Sequence, residues 1–247
     1  MQEILSLIEE KNHEYAQLPL FKFLEDKTIN PKQRLSFAPC IAHFIMSFGD
    51  LNKYVFREKQ AVTKLEYMIN EHTYEDDHHW PWFITDLEKL GFNSQISFTQ
   101  MLRFLWSEHS KVSRQLSYQL SAYTLHAEPI IKIAAIEAIE ATGNVLFSRT
   151  SQVASELTEI TGHKYTYFGD FHLHLESGHA MGTEGAEDLL TIIELTDSQR
   201  HQAYEIVNNV FIIFTEWTHE LLAYAQKQNL ELDAYEEKIR DSSVACI

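Results

Sequence analysis

Breakers of regular structure are scarce in this chain, with 8 glycines and 5 prolines over 247 residues. Few turns mean long elements, and long elements with apolar residues at three- and four-residue steps are helices rather than strands of a many-stranded sheet. The expected fold is all-α, one domain over residues 1–247, with six or seven helices packed as a bundle. The breakers that do occur mark helix ends. Asn30 before Pro31 reads as an N-cap with proline at the first helical position, opening a helix to about residue 48. A long helix is expected over 57–90, stopped by Gly91, and others over 98–125, 130–160, followed by Thr161-Gly162, and 165–181, the last closed by Gly182 and Gly185. Thr196-Asp-Ser-Gln199 is a capping-box pattern that opens a final helix to about residue 228. The polar tail after Leu232 is expected to be loosely held.

Composition removes several function classes. Hydrophobic residues make up 45% and charged residues 23%, an ordinary globular balance. A net charge of −16 repels a phosphate backbone, so no nucleic-acid partner is expected. No run approaches the roughly 18 consecutive apolar residues of a membrane span. The opening MQEILSLIEEKNHEY reads as an amphipathic helix and not a signal peptide. Cys40 and Cys246 form no disulfide framework, and a reducing cytoplasm is the expected compartment.

The chemistry concentrates in two windows. Of 13 histidines, six lie in residues 72–79 and 172–179. The inward stripe of the first helix runs Leu65, Ile69, His72, Asp76, His79, Phe83, Leu87, Leu90, all at steps of three or four. His72, Asp76 and His79 thus occupy core positions, with Glu75 on the flank, while Glu71, Asp77 and His78 read as a solvated or outer face. In the second window His172, Glu176 and His179 stand at i, i+4 and i+7, within roughly a 60° arc of one helix face, and His174 falls opposite. Between the windows, Glu137 and Glu140 interrupt an otherwise small and apolar segment, Ile133-Ala-Ala-Ile-Glu-Ala-Ile-Glu-Ala141. A carboxylate buried there needs a partner, and a metal ion is one. Mixed histidine and carboxylate donors from several bundle helices suit a pair of iron ions. His43 and His219 read instead as core histidines with a hydrogen-bond partner.

The triplet His172-x3-Glu176-x2-His179 resembles the H-x3-[DE]-x2-H signature of the haem-oxygenase-like di-iron oxidases and oxygenases, and the resemblance spans essentially the whole chain. The segment His72-Thr-Tyr-Glu-Asp-Asp-His-His-Trp-Pro-Trp-Phe83 is similar to the cyanobacterial branch related to the chlamydial death-domain-associating protein. The resemblance implies a seven-helix, haem-oxygenase-like bundle that binds two iron ions and no haem, with O2 as co-substrate. It implies His172, Glu176 and His179 as ligands from the late helix, Glu140 from the middle helix and His79 from the early one. The family's glutamate seven residues before that histidine is His72 here. Either His72 substitutes, or Asp76 or Glu75 supplies the carboxylate. The alternative register pairs Glu71 with His78. The implied activity is an O2-dependent oxidation of an amino acid, an aromatic one by the resemblance, and within that branch the conversion of a brominated tryptophan to an indole-3-acetonitrile.

Phe44, Phe48, Trp82, Phe83, Trp106 and Tyr165 are candidates to line an indole-sized pocket, although aromatic residues at helical spacing mostly fill core. Arg103, Arg114 and Lys132 are candidate carboxylate clamps, with surface roles as the simpler reading. Pro81 is expected to loosen the early helix one turn past Asp77. Three rivals stay open. One is a metal hydrolase, for which no H-E-x-x-H is present. The second is a metal-free partner-binding bundle, and the third a thiaminase-like enzyme using Cys40 as nucleophile. A homodimer is left open.

Overall fold

The computed structural model describes residues 1–93, 95–177 and 190–244, the side chains of 176–177 and 229–244 excepted. The described chain is all-helical and forms one domain. In order come α1 (Gln2–Tyr15), α2 (Pro19–Glu25), α3 (Pro31–Arg34), a 3-10 turn (Ala38–Ile41), α4 (Ala42–Leu51) and a π-helical turn (Asn52–Phe56). These are followed by α5 (Lys64–Asp76), α6 (Trp80–Lys89), α7 (Phe98–Leu105), a 3-10 turn (Glu108–Ser110) and α8 (Lys111–Thr124). The long α9 (Pro129–Thr161), the short α10 (Asp170–Ser177) and α11 (Asp197–Val244) complete the order. No described helix is long and apolar enough to cross a membrane.

The axis of the fold is α9. Its 33 residues are rich in isoleucine and alanine, and it packs against α11, α1, α10, α2, α5, α3 and α8. Ala134, Ala135 and Ala138 have no exposed surface, and their small side chains let neighbouring helices approach closely. The Arg34 side chain is equally deep, donating to the Leu24 and Ile29 carbonyls and pairing with Glu156 of α9. That pairing ties α2 and α3 to the axis.

Several expected ends agree with the structure. Asn30 accepts from the Lys32 amide, Gly91 and Gly162 take the left-handed conformation (φ 82° and 74°), and Thr196 pairs with Gln199 as a capping box. Other helices are shorter than their periodicity suggested. The 30–48 helix is interrupted by the 3-10 turn containing Pro39. The 98–125 helix breaks after α7, where Ser110 Oγ and Arg114 donate to carbonyls freed at Phe104 and Leu105. The last helix continues past residue 228, to Val244.

The most consequential correction is in the 57–90 segment, which is two helices. A capping box, Thr63 with Glu66, starts α5 at Lys64 rather than near Arg57. In a continuous helix the Pro81 ring would collide with the carbonyl four residues back, that of Asp77. The helix breaks there, and the freed Asp77 carbonyl turns to the end of α4 and the π-helical turn after it, where Lys53 Nζ donates to it at 3.3 Å. Gly49 leaves room for it, since a Cβ at that position would lie 2.7 Å from the Asp77 oxygen.

Candidate metal centre

Two carboxylates and three imidazoles converge in the interior from α5, the start of α6, α9 and α10. His72 and Asp76 sit one turn apart on α5, with His72 Nε2 3.1 Å from Asp76 Oδ2. Glu140 reaches in from α9, its Oε1 3.6 Å from the same His72 nitrogen. The other oxygen of Asp76, Oδ1, lies 3.9 Å from Nδ1 of His79, at the N-cap of α6. That Nδ1 is 3.2 Å from Nε2 of His172 on α10. None of the five residues is more than 9% exposed.

The donor set fits metal ions. Atoms bound to one ion at about 2.1 Å stand roughly 3.0–3.4 Å apart in octahedral to tetrahedral shells. The spacings of 3.1, 3.2 and 3.6 Å fall in or near this range, and the 3.9 Å between His79 and Asp76 is wider. Asp76 Oδ2 is buried and accepts no hydrogen bond. A carboxylate oxygen at that depth needs compensation, and a cation held among His72, Asp76 and Glu140 would provide it. At His172 the Nδ1 atom is 2.9 Å from the Tyr167 carbonyl oxygen. A carbonyl only accepts, so Nδ1 carries the hydrogen and Nε2 turns its lone pair toward His79.

The break between α5 and α6 leaves the inward stripe intact, with His72, Asp76 and His79 all buried. Glu75 is half-buried on the flank, Glu71 is exposed and the His78 side chain is 61% exposed, so the alternative Glu71–His78 register faces outward. Asp77, expected on the outer face, is bound by Arg57 at 2.7 Å. Glu137 is half-buried while Glu140 is buried. On α10, His172 is buried and His174 exposed, on opposite sides as their spacing requires. The Glu176 side chain and His179 lie outside the described residues.

Other candidates stand elsewhere. His219 is exposed rather than a core histidine, and His43 is half-buried against Trp106 and Tyr118. Arg103 is exposed, and Arg114 is committed to the carbonyls ending α7. Lys132 is the reverse of a surface residue: only 5% exposed, it pairs with Glu58 at 2.7 Å and donates to the Phe56 carbonyl. Cys40 is buried and its thiol donates to the His109 carbonyl. Burial, with the nearby Glu220 charge, pushes that thiol well above its ordinary value, the opposite of an activated nucleophile.

A largely aromatic cleft, with a cavity volume of about 60 Å³, opens onto the centre. Asp76, His79, Glu140 and His172 form its polar end, and Phe44, Phe48, Trp80, Phe147, Phe214 and Trp217 line much of the remainder. Of the six aromatic residues singled out by sequence, Phe44 and Phe48 line it. Trp82 instead stacks on His79, with ring centroids 4.5 Å apart and planes 18° from parallel. Phe83 and Tyr165 are core, and Trp106 is exposed. Sequence reading missed Tyr167, which holds His172, and Phe147, whose ring centroid is 4.1 Å from that imidazole. Phe147 stands seven residues after Glu140, so helical spacing was a usable signal. For the Tyr167 carbonyl there was none. No protein-family model matches the chain, and no curated protein matches it either, so these residues and their geometry carry the functional reading.

Proposed function

We propose that the chain is an O2-dependent, non-haem di-iron oxidase or oxygenase on a haem-oxygenase-like seven-helix bundle. Its proposed substrate is an aromatic amino acid, a tryptophan or brominated tryptophan converted to an indole-3-acetonitrile. The observation that carries the metal reading is the position of Asp76. One of its oxygens faces His72, which in turn neighbours Glu140, and the other faces His79, which neighbours His172. So placed, Asp76 would help hold ions beside both groups of donors, as carboxylates on facing helices do in bundle metal sites. The His172-x3-Glu176-x2-His179 pattern supports the same family and adds Glu176 and His179 to the proposed ligand set.

When bound, ferrous iron supplies the electrons for O2 chemistry, which these side chains lack. The protein's own part is positional. His72, Asp76, His79, Glu140 and His172 would hold the ions, and the Tyr167 carbonyl keeps the His172 hydrogen on Nδ1. The aromatic walls exclude water and favour a flat apolar side chain. No lysine or arginine lines the cleft among the described residues. The polar head of an amino acid is therefore directed to the end formed by Asp76, His79, Glu140 and His172.

Anaerobic reconstitution with ferrous iron should yield about two iron per chain. His72→Ala and His172→Ala should each reduce uptake to one or fewer, with helical circular dichroism unchanged. Adding O2 and tryptophan or its halogenated forms should give a nitrile product by mass spectrometry. Uptake of zinc alone, or iron binding indifferent to both substitutions, would overturn the metal reading. Iron uptake without turnover of any aromatic amino acid would overturn the substrate.

A further inference from the structure

One buried acid belongs to neither the ligand set nor the core. Asp86 of α6 has no exposed surface, yet it is a carboxylate. Its oxygens accept from three consecutive backbone amides of the segment before α10: Thr166 at 3.0 Å on Oδ1, Tyr167 at 2.8 Å and Phe168 at 3.1 Å on Oδ2. Lys89 Nζ lies 3.4 Å from Oδ1 and also donates to the Lys164 carbonyl at 2.6 Å. Three amides and an ammonium satisfy both oxygens of a carboxylate at this depth. The three amides lie in the turn that precedes α10, which starts at Asp170 and not at residue 165.

We infer that Asp86 is a positioning residue for His172, acting through the backbone of Tyr167. Tyr167 donates its amide to Asp86 and accepts the His172 Nδ1 hydrogen on its carbonyl. Asp86 also lies seven residues after His79 on the same helix, two turns along the same face. The α6 helix therefore sets both imidazoles, His79 directly and His172 through the 166–168 amides, and their 3.2 Å separation follows from one rigid element. Gly169 completes the path, since a Cβ there would collide with the Tyr165 carbonyl. The role extends the di-iron reading, but its first consequence concerns the metal-free protein.

The test compares wild type with Asp86→Asn, which keeps the shape but replaces an accepting oxygen with a donor. Nitrogen-15 NMR of ring-labelled, metal-free protein should show His172 as the Nδ1–H tautomer in wild type. A mixture of tautomers should appear in the folded variant. Ferrous iron titrated anaerobically should bind the variant ~10–100-fold more weakly, the usual effect of disturbing a group that orients a ligand. Should Asp86→Asn fail to fold, Asp86→Glu retains the charge while displacing the amides, and the same two changes are expected. A folded variant with unaltered tautomer and unaltered iron affinity overturns the inference, as does a wild-type His172 protonated on Nε2. Wild-type protein that shows the Nδ1–H tautomer yet takes up no iron would sink the di-iron proposal and leave the Asp86 role standing.

Discussion

The α9 helix and the α5–α6 pair both present side chains to the centre, by opposite means. An unbroken rod, α9 delivers Glu140 from a wall of isoleucine and alanine, and its position is set by packing on seven neighbouring helices. The α5–α6 pair delivers His72, Asp76 and His79 across a break, and hydrogen bonds from outside the pair hold that break. Arg57 donates to the Thr73 hydroxyl and carbonyl and to Asp77, and its guanidinium stacks over Tyr74 at 3.8 Å. Lys53 and Gly49 receive the Asp77 carbonyl. The difference teaches where each region is vulnerable. A packed rod absorbs small changes along its length, whereas a scaffolded break depends on a few contacts.

The largest expected effect is at Gly49. Gly49→Ala places a methyl against backbone, which cannot swing aside, and should destabilise the fold by about 1–3 kcal/mol. It should also weaken iron binding by displacing the turn between Asp76 and His79, as denaturant melts and anaerobic titration would show. Arg57→Met comes next. Losing the partly buried pair with Asp77 and the bonds to Thr73 should cost about 1 kcal/mol in a urea melt.

A similar loss, about 1 kcal/mol, is expected for Thr63→Ala, which removes the N-cap of α5. Its partner Glu66 adds a pH signature. Hydrogen bonds from the Val62 and Thr63 amides, then the Thr63 hydroxyl, hold the Glu66 carboxyl below its ordinary value. A depressed acid stabilises the fold above its unfolded value and ceases to do so as pH falls through the folded one. The difference in melting temperature between wild type and Glu66→Gln should therefore be full near neutrality and fade as pH falls below the ordinary glutamate value of about 4.3.

The smallest effect has the opposite sign. In Gly143→Ala, on the rod, the new Cβ would meet only the Phe147 ring, at 3.7 Å. Removing a mid-helix glycine should stabilise by about 0.4–1 kcal/mol while narrowing the cleft. If Gly49→Ala and Gly143→Ala shifted stability alike, the contrast between break and rod would be void.

Much of the fold was legible because its signals are local. Asn30, Gly91, Gly162 and Thr196 act on their own backbone neighbours, and each marks a helix end where chemistry requires one. Periodicity likewise put His72, Asp76 and His79 on one inward stripe, and it separated His172 from His174. The misreadings have distant causes. Nothing near residues 57–90 reveals that Gly49 leaves room for the freed carbonyl of Asp77 and that Lys53 donates to it. The segment 165–169 has a helical pattern but runs as a turn before α10, with three of its amides on Asp86, about eighty residues earlier. Lys132 resembled a surface lysine until Glu58 and the Phe56 carbonyl were found beside it.

The residues alone determined the helical class, the scarcity of turns and the chemical inventory of two histidine windows flanking an isolated pair of glutamates. Side-chain type and a 3.6-residue period are properties of a strand of sequence, and they hold wherever that strand packs. The tertiary structure decided which oxygen of Asp76 faces which imidazole, which nitrogen of His172 carries the hydrogen, and which aromatics wall the cleft. Those outcomes depend on hydrogen bonds and contacts only a few ångströms long between groups tens of residues apart. Such distances exist only once the helices have docked.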